Sequence, residues 1–261
     1  MNLNSDFHRN VNDTINDVVN ILNKAKITYW LDYGSLLAAV RDKKLFDWEH
    51  DLDFGMFYND LEKILVLLRD FEKIGYKVRI EKDFPFIDGL IQIYLPQKFS
   101  RQNACIDHID FYLYKKYQDG FWLRQLMWPR LKFIKFNTNL LIIMKILSEK
   151  IVPKKSWKRK LIANIPFSIR NVISRGILKL LVHTMVCRYN YIPLKFFQEF
   201  KEIKFYGKYF KVPKDTGRYL SMIYGENWQI PNPNWNWKTD NLTQRFLPGS
   251  MLGMPEVLTK D

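Results

Sequence analysis

Cysteine is nearly missing from this sequence: its 261 residues hold two, Cys105 and Cys187. They could form one disulfide and have no metal-binding spacing, which suits a reducing compartment with both as small buried apolar side chains. Long apolar runs are missing too. The best, Leu140 to Met144, is stopped by Lys145, far short of the ~20 residues needed to span a bilayer, so no transmembrane helix is expected. The N-terminal stretch lacks the basic and then apolar segments of a secretory leader. These absences predict a cytoplasm-facing chain, free or peripheral at the inner face of a membrane. No internal repeat or low-complexity tract is present, and a composition that is 47% hydrophobic and 16% aromatic excludes intrinsic disorder as the ground state.

Acidic residues are scarce in one segment only. Residues 121–218 carry 22 Lys and Arg against four acids (Glu149, Glu199, Glu202 and Asp215), a local net of +18, while the rest of the chain nets −4. Such a surface attracts nucleic acid, anionic lipid headgroups or anionic substrates. Its bulky apolar residues, among them Phe121, Trp122, Trp128, Phe133 and Trp157, suit a helix lying in a membrane interface at least as well as nucleic acid. A helical subdomain with a solvated basic face is the plain alternative.

What is present is an α/β pattern. A helix over roughly 5–25 precedes a β-branched and aromatic strand at 27–31. Tyr33-Gly34-Ser35 reads as a turn, followed by a short helix, Leu36–Arg41, that Ser35 could cap. Asp51–Phe57 alternates with period 2 and reads as a strand. A strongly amphipathic helix runs from about Asn59 to Ile74, with Gly75 as its stop. Strands are expected at Tyr76–Glu81, Leu90–Leu95 and Cys105–Tyr114, giving an early βαβ and later antiparallel pairs. The pattern then turns helical and basic to about residue 200, before a hairpin around Gly207 and a short helix near 217–223. Three regions follow: a catalytic core at 1–120, a basic, aromatic-rich helical segment at 121–200, and 201–261 completing the catalytic domain.

The sharpest local feature is Asp51-x-Asp53 on a strand, preceded by Glu49. Side chains at i and i+2 of a strand project from one face. Two carboxylates side by side repel and take up protons unless a cation sits between them. An oxygen-seeking divalent ion such as Mg2+ or Mn2+ resolves that repulsion, together with substrate phosphates. Gly34 and Ser35 lie at a strand-to-helix junction, a natural phosphate seat. Asp110, in an otherwise apolar strand, would be a third carboxylate if that strand lies beside the pair. Arg41, two helical turns on, is in plausible reach of a bound phosphate. His108 shares the strand face of Asp110, against the alternative of a satisfied buried histidine. Asp107 and His50 should point elsewhere, Lys43 and Lys44 read as a solvated loop, and Trp228, Trp235 and Trp237 could stack on a base or sugar but more often pack.

The string Tyr29-Trp30-Leu31-Asp32-Tyr33-Gly34-Ser35-Leu36-Leu37-Ala38-Ala39-Val40-Arg41, then Trp48-Glu49-His50-Asp51-Leu52-Asp53, resembles the signature of the LicD/fukutin-related family. Val212-Pro213-Lys214-Asp215, Tyr219-Leu220 and Tyr224-Gly225-Glu226-Asn227-Trp228 through Pro231 are similar to that family's closing element. The two matches bracket residues 29–231, while 121–200 matches no pattern. Glu49 stands where the family usually has Asp, and Ala38 replaces the usual Gly, which a helix tolerates.

The resemblance implies a nucleotidyltransferase-like mixed sheet with flanking helices plus the basic helical segment. It implies Asp51, Asp53 and Asp110 as ligands of Mg2+ (or Mn2+), Gly34 and Ser35 as the donor-phosphate turn, and Arg41 as the donor-side cation. Glu49, His108 and Asp32 are supporting candidates. The implied activity is transfer of a phospho-alcohol, of the phosphocholine or ribitol or glycerol phosphate type, from a CDP-linked donor to a sugar hydroxyl of a cell-surface glycan or its lipid-linked precursor. An anionic membrane surface is a further expected partner; nucleic acid is not. Two rivals remain: a nucleotidyltransferase moving NMP to a small acceptor, and a catalytically inactive scaffold for a membrane surface or nucleic acid.

Overall fold

The computed structural model describes residues 3–80, 90–95, 106–117, 120–125, 130–131, 140, 142–144, 146–147, 152, 156–237 and 239–248. Cys105 lies outside these residues, and nothing is described of the Cys187 side chain. The chain divides into two compact units: 1–81, 89–124 and 191–243 in the first, and 82–88, 125–190 and 244–261 in the second.

The first unit opens with α1 (Leu3–Lys24), in which Phe7, Val11, Ile15, Val18 and Leu22 recur three or four residues apart and are all buried. There follow β1 (Tyr29–Leu31), α2 (Tyr33–Arg41), β2 (Asp51–Phe57), α3 (Leu61–Lys73), β3 (Lys77–Ile80), β4 (Leu90–Tyr94), β5 (His108–Tyr117) and β6 (Phe121–Gln125). Gly75, at φ +95, lets the chain leave α3 in the left-handed region. The strands form a mixed sheet in the order β1-β2-β5-β4-β3, and β6 pairs back on the end of β5. Among the described residues of this unit the one parallel pair is β2–β5. The expected early βαβ is corrected: β1 and β2 flank α2 but run antiparallel, so the parallel crossover comes later, through α3, β3 and β4.

Each face of β2 has its own task. Leu52, Phe54 and Met56 form the core with Ile109, Phe111 and Leu113 of β5, and Phe71 of α3 meets Phe111 edge to face. The opposite face is polar at one end and aromatic at the other. Trp30 packs there against Phe57, Tyr114, Phe197 and Phe200. Its indole lies over Gly55, where an added Cβ would fall 2.2 Å from the ring, so a glycine is required by space.

The second unit holds β7 (Arg130–Leu131), α4 (Trp157–Ala163), α5 (Phe167–Thr184), β8 (Met185–Pro193), whose last residues belong to the first unit, and, at its far end, β11 (Gln244–Pro248). Both β7 and β11 pair antiparallel with β8. The basic segment is therefore helical in its middle and carries strands at its ends. The first unit resumes with the hairpin β9 (Phe200–Phe205) and β10 (Lys208–Pro213) and with α6 (Thr216–Tyr224). Tyr206 and Gly207 both take positive φ, as a two-residue turn of the mirror-image type requires.

Candidate active site

Strand register builds the site row by row. Across the parallel β2–β5 pair, Asp51 stands beside His108, Asp53 beside Asp110, and Gly55 beside Tyr112. On the far side of β5, Tyr94 stands beside His108 and Gln92 beside Asp110. Paired positions share a face, so the polar end of that face collects three carboxylates from two strands, Asp51 and Asp53 of β2 and Asp110 of β5. Glu49, just before β2, joins them: Glu49, Asp51 and Asp53 offer ligand atoms within 4.8 Å of one another, and so do Asp51, His108 and Asp110. The expected ligand set Asp51–Asp53–Asp110 thus falls into two overlapping groups that share Asp51.

The carboxylates are held by specific donors. Asp53, 3% exposed, accepts from the Ser35 N–H at 3.2 Å and from the Tyr112 hydroxyl at 3.0 Å. Asp110 accepts from the Gln92 amide at 3.1 Å, and Tyr112 Oη is 3.3 Å from its other oxygen. The single Tyr112 hydroxyl proton is thus shared between the carboxylates of Asp53 and Asp110. Burial, then the charges of Asp51 and Asp110, raise Asp53 well above the ordinary carboxylate range. Burial, then the hydrogen bond and charge of Glu49, push Asp51 up to about 9. Burial and the Asp53 charge push Glu49 up to about 7. His108 Nε2 lies 3.4 Å from Asp110 and 3.7 Å from Asp51, while its ring stacks on Tyr94.

Oxygen donors this crowded, with proton affinities this high, fit a hard divalent cation such as Mg2+ or Mn2+. Glu49, Asp51 and Asp53 would hold it on one side; the imidazole of His108 makes the Asp51–His108–Asp110 group softer.

The helix before the site differs from the expected turn. It begins at Tyr33, capped by Asp32, whose Oδ1 accepts the Tyr33 N–H at 2.9 Å. The cap is one turn earlier than Ser35 because Asp32 sits in extended backbone, at φ −132 and ψ 170, while Ser35 is already inside the helix. Ser35 ties α2 to β2 instead: its Oγ accepts the Asp53 N–H at 2.8 Å while its own N–H holds the Asp53 carboxylate. Gly34 leaves room for acid side chains, since an added Cβ would sit 3.0 Å from both Asp53 Oδ2 and Glu49 Oε1. The N-terminus of α2 thus seats the aspartate of its own chain. Arg41, six residues on and about 9 Å along the axis, binds Asp42 at 2.7 Å and the Trp228 carbonyl at 3.4 Å. The structure brings Glu49, Asp51, Asp53, Asp110, His108, Ser35 and Gly34 together, and does not bring Arg41 to them.

Asp32 is fully buried and organises a second layer. Its Oδ2 accepts from Tyr114 and its Oδ1 from Tyr219, both at 2.7 Å. Tyr219 and Tyr224 come from α6, and both phenols are pushed well above their ordinary range, Tyr219 by burial and Asp32, Tyr224 by burial and then Asp53 and Glu49. Tyr112, Gln92, Tyr94 and Tyr224 were not anticipated. For Tyr112 the signal was available, two residues beyond Asp110 on one strand; for Tyr224 no local spacing could show it.

The family model described as LicD/FKTN/FKRP, nucleotidyltransferase domain, matches residues 26–142. The chain is 27% identical to an uncharacterised protein of Rickettsia typhi over 118 residues, 45% of this chain and 36% of that protein. It is 30% identical to an uncharacterised protein of Rickettsia prowazekii over 123 residues, 47% of this chain and 45% of that protein. It thus spans less than half the length of these relatives. Over 53 residues, 20% of this chain and 11% of the relative, it is 38% identical to the human ribitol 5-phosphate transferase FKRP. A crystal structure of the lincosamide antibiotic adenylyltransferase LnuA is a loose likeness, with a TM-score of 0.36 and 10% identity over 82% of this chain and 89% of that one; at that level it bears on nothing further. The segment 26–142, which carries the carboxylate rows, is the part of the chain that is similar to the LicD/FKTN/FKRP nucleotidyltransferase domain.

Proposed function

We propose that this chain is a Mg2+- or Mn2+-dependent phosphotransferase that moves a phospho-alcohol from a CDP-linked donor to a sugar hydroxyl of a glycan or a lipid-linked glycan precursor. The observation that carries this reading is the pairing of Asp53 with Asp110 across parallel strands, with Asp51 and Glu49 gathered at the same end. The family match and the name of the human relative support the reaction class.

A bound divalent ion would supply charge neutralisation of the donor diphosphate and of the leaving oxygen. The chain's own residues do the rest. Ser35 and Tyr112 fix Asp53, Gln92 fixes Asp110, and Gly34 keeps α2 clear of the carboxylates. The acceptor hydroxyl attacks the alcohol-bearing phosphorus, a new P–O bond forms, the P–O bond to CMP breaks, and Asp110 takes the hydroxyl proton. In this proposal Gly34 and Ser35 serve the donor through Asp53, and Arg41 acts only from the far end of α2. The enzyme works at the inner face of a membrane, where lipid-linked acceptors are presented and the basic segment meets anionic lipid. Among the described residues no helix is long and apolar enough to cross a membrane.

The test is incubation with Mg2+ and CDP-choline, CDP-ribitol, CDP-glycerol or CDP-ethanolamine, with a thermal-shift screen to choose the donor. Release of CMP supports the proposal. Release of pyrophosphate from a nucleoside triphosphate, with no CMP from any CDP-alcohol, would mean nucleotidyl transfer instead.

A further inference from the structure

Over its described side chains, residues 167–177, helix α5 is inside out. Its buried side holds Arg170, 4% exposed, and Ser174. Arg170 donates to the carbonyls of Ile165 at 2.9 Å and Leu147 at 3.4 Å, and Ser174 to that of Met144 at 3.3 Å. Its outward side holds Ile169, Val172 and Ile173, spaced i, i+3 and i+4, with Val172 71% exposed. The preceding helix α4 likewise leaves Trp157 and Leu161 exposed, four residues apart. A helix in water turns its aliphatic stripe inward; here the polar stripe is inside and the aliphatic one faces out. Exposed apolar surface of this kind marks a contact that completes it.

We propose that this outward face of α5, with Trp157 and Leu161 of α4, seats the second unit on an anionic lipid bilayer. Three observations choose this occupant. Residues 125–190 carry 14 Lys and Arg against one acid, Glu149, and exposed Lys160 and Arg175 lie beside the aliphatic positions. A basic surface studded with exposed aliphatic and tryptophan side chains is the pattern of an interfacial helix, whose apolar side enters the acyl boundary while its cations meet headgroups. A second copy of this chain would bring the same positive charge to the contact and be repelled. Single-stranded nucleic acid is bound by stacking on successive aromatic faces, and among the exposed side chains of this face Trp157 alone offers one, the rest being aliphatic. The proposal rests on the inner-membrane placement given above, not on the chemistry of the carboxylates.

The experiment is co-sedimentation of the full chain with phosphatidylglycerol–phosphatidylcholine vesicles, and with phosphatidylcholine vesicles, at low and high salt. Wild-type protein is expected to sediment with the anionic vesicles and to be released by salt. Val172→Glu and Ile169→Glu are each expected to weaken partitioning by about tenfold or more, the scale of keeping one aliphatic side chain out of the apolar phase. Val66→Glu, at an equally exposed aliphatic position on α3 of the first unit, should leave partitioning unchanged. All three variants should melt with the wild type, because the replaced side chains are already in water. Equal sedimentation of the wild type and Val172→Glu would overturn this face while sparing the membrane placement. Wild-type protein left in solution with anionic vesicles would overturn both, whether the chain instead self-associates or binds RNA. CMP release from a soluble CDP-alcohol reads the catalytic proposal separately, and Val172→Glu should not change it.

Discussion

Asp53 is the residue on which both geometry and chemistry converge. It stands beside Asp110, is tied to α2 through both atoms of Ser35 that can bond it, and meets Tyr112. Asp53→Ala should lower transfer on the order of a thousandfold without a loss of helical or strand signal by circular dichroism; near-normal turnover would refute the assignment. The acids also make a pH prediction. Asp51 and Glu49 are raised from 3.8 to about 9 and from 4.5 to about 7, so without metal the folded state holds protons that the unfolded state has already lost. Stability contributed by that uptake is present at low pH and falls as pH rises through this window. A divalent ion competes with those protons. The rise in melting temperature caused by Mn2+ should therefore grow from about pH 5 to pH 9, and Asp51→Asn should both abolish that growth and raise the metal-free melting temperature at pH 8. A pH-independent metal shift would contradict it. Gly34→Ala adds a methyl 3.0 Å from two carboxylate oxygens; Asp53 is pinned and cannot retreat, so the variant should keep its fold and lose most of the metal-induced shift.

At the scale of elements, the site depends on how α2, β5 and α6 meet at Asp32. Three donors converge on this one buried carboxylate: the Tyr33 N–H and the hydroxyls of Tyr114 and Tyr219. Asp32→Ala would strand all three, at roughly 1–3 kcal/mol each before relaxation, and is expected to unfold the first unit or lower its melting temperature severely. Tyr219→Phe removes one donor and should cost about 1 kcal/mol; a double-mutant cycle between the two positions should show strong coupling. Additive losses would mean that the network does not join α6 to the cap. The sequence gives good bounds for α1, α3, β2, β4 and the β9–β10 hairpin, because each carries an amphipathic period or a turn signal of its own. It misplaced the cap by one turn, since Asp32 and Ser35 are both good capping residues and only packing shows that Ser35 is engaged by Asp53.

At the scale of the molecule, the family match ends at residue 142, but the first unit does not. Phe197 and Phe200 pack on Trp30, Phe210 on Phe54, and Tyr219 on Phe196 and Phe197. Residues 194–224 therefore cover apolar surface that the matched segment would otherwise expose. A fragment ending at residue 142 is expected to be insoluble or to melt without a cooperative transition, whereas the full chain should unfold cooperatively in its first unit. A fragment with native-like melting and donor binding would show that the later elements are dispensable.

Residue types and short spacings by themselves determined the carboxylates of the site, the apolar faces of the long helices and the concentration of positive charge in one segment, because each is a local property. Only the tertiary structure decided that β1 and β2 run antiparallel, that Asp53 and Asp110 fall into one row, and that Glu49 and His108 join them. Strand partners and register are fixed by contacts between residues far apart in the chain, and a side chain's neighbours across a sheet leave no mark in the spacing of the strand that carries it.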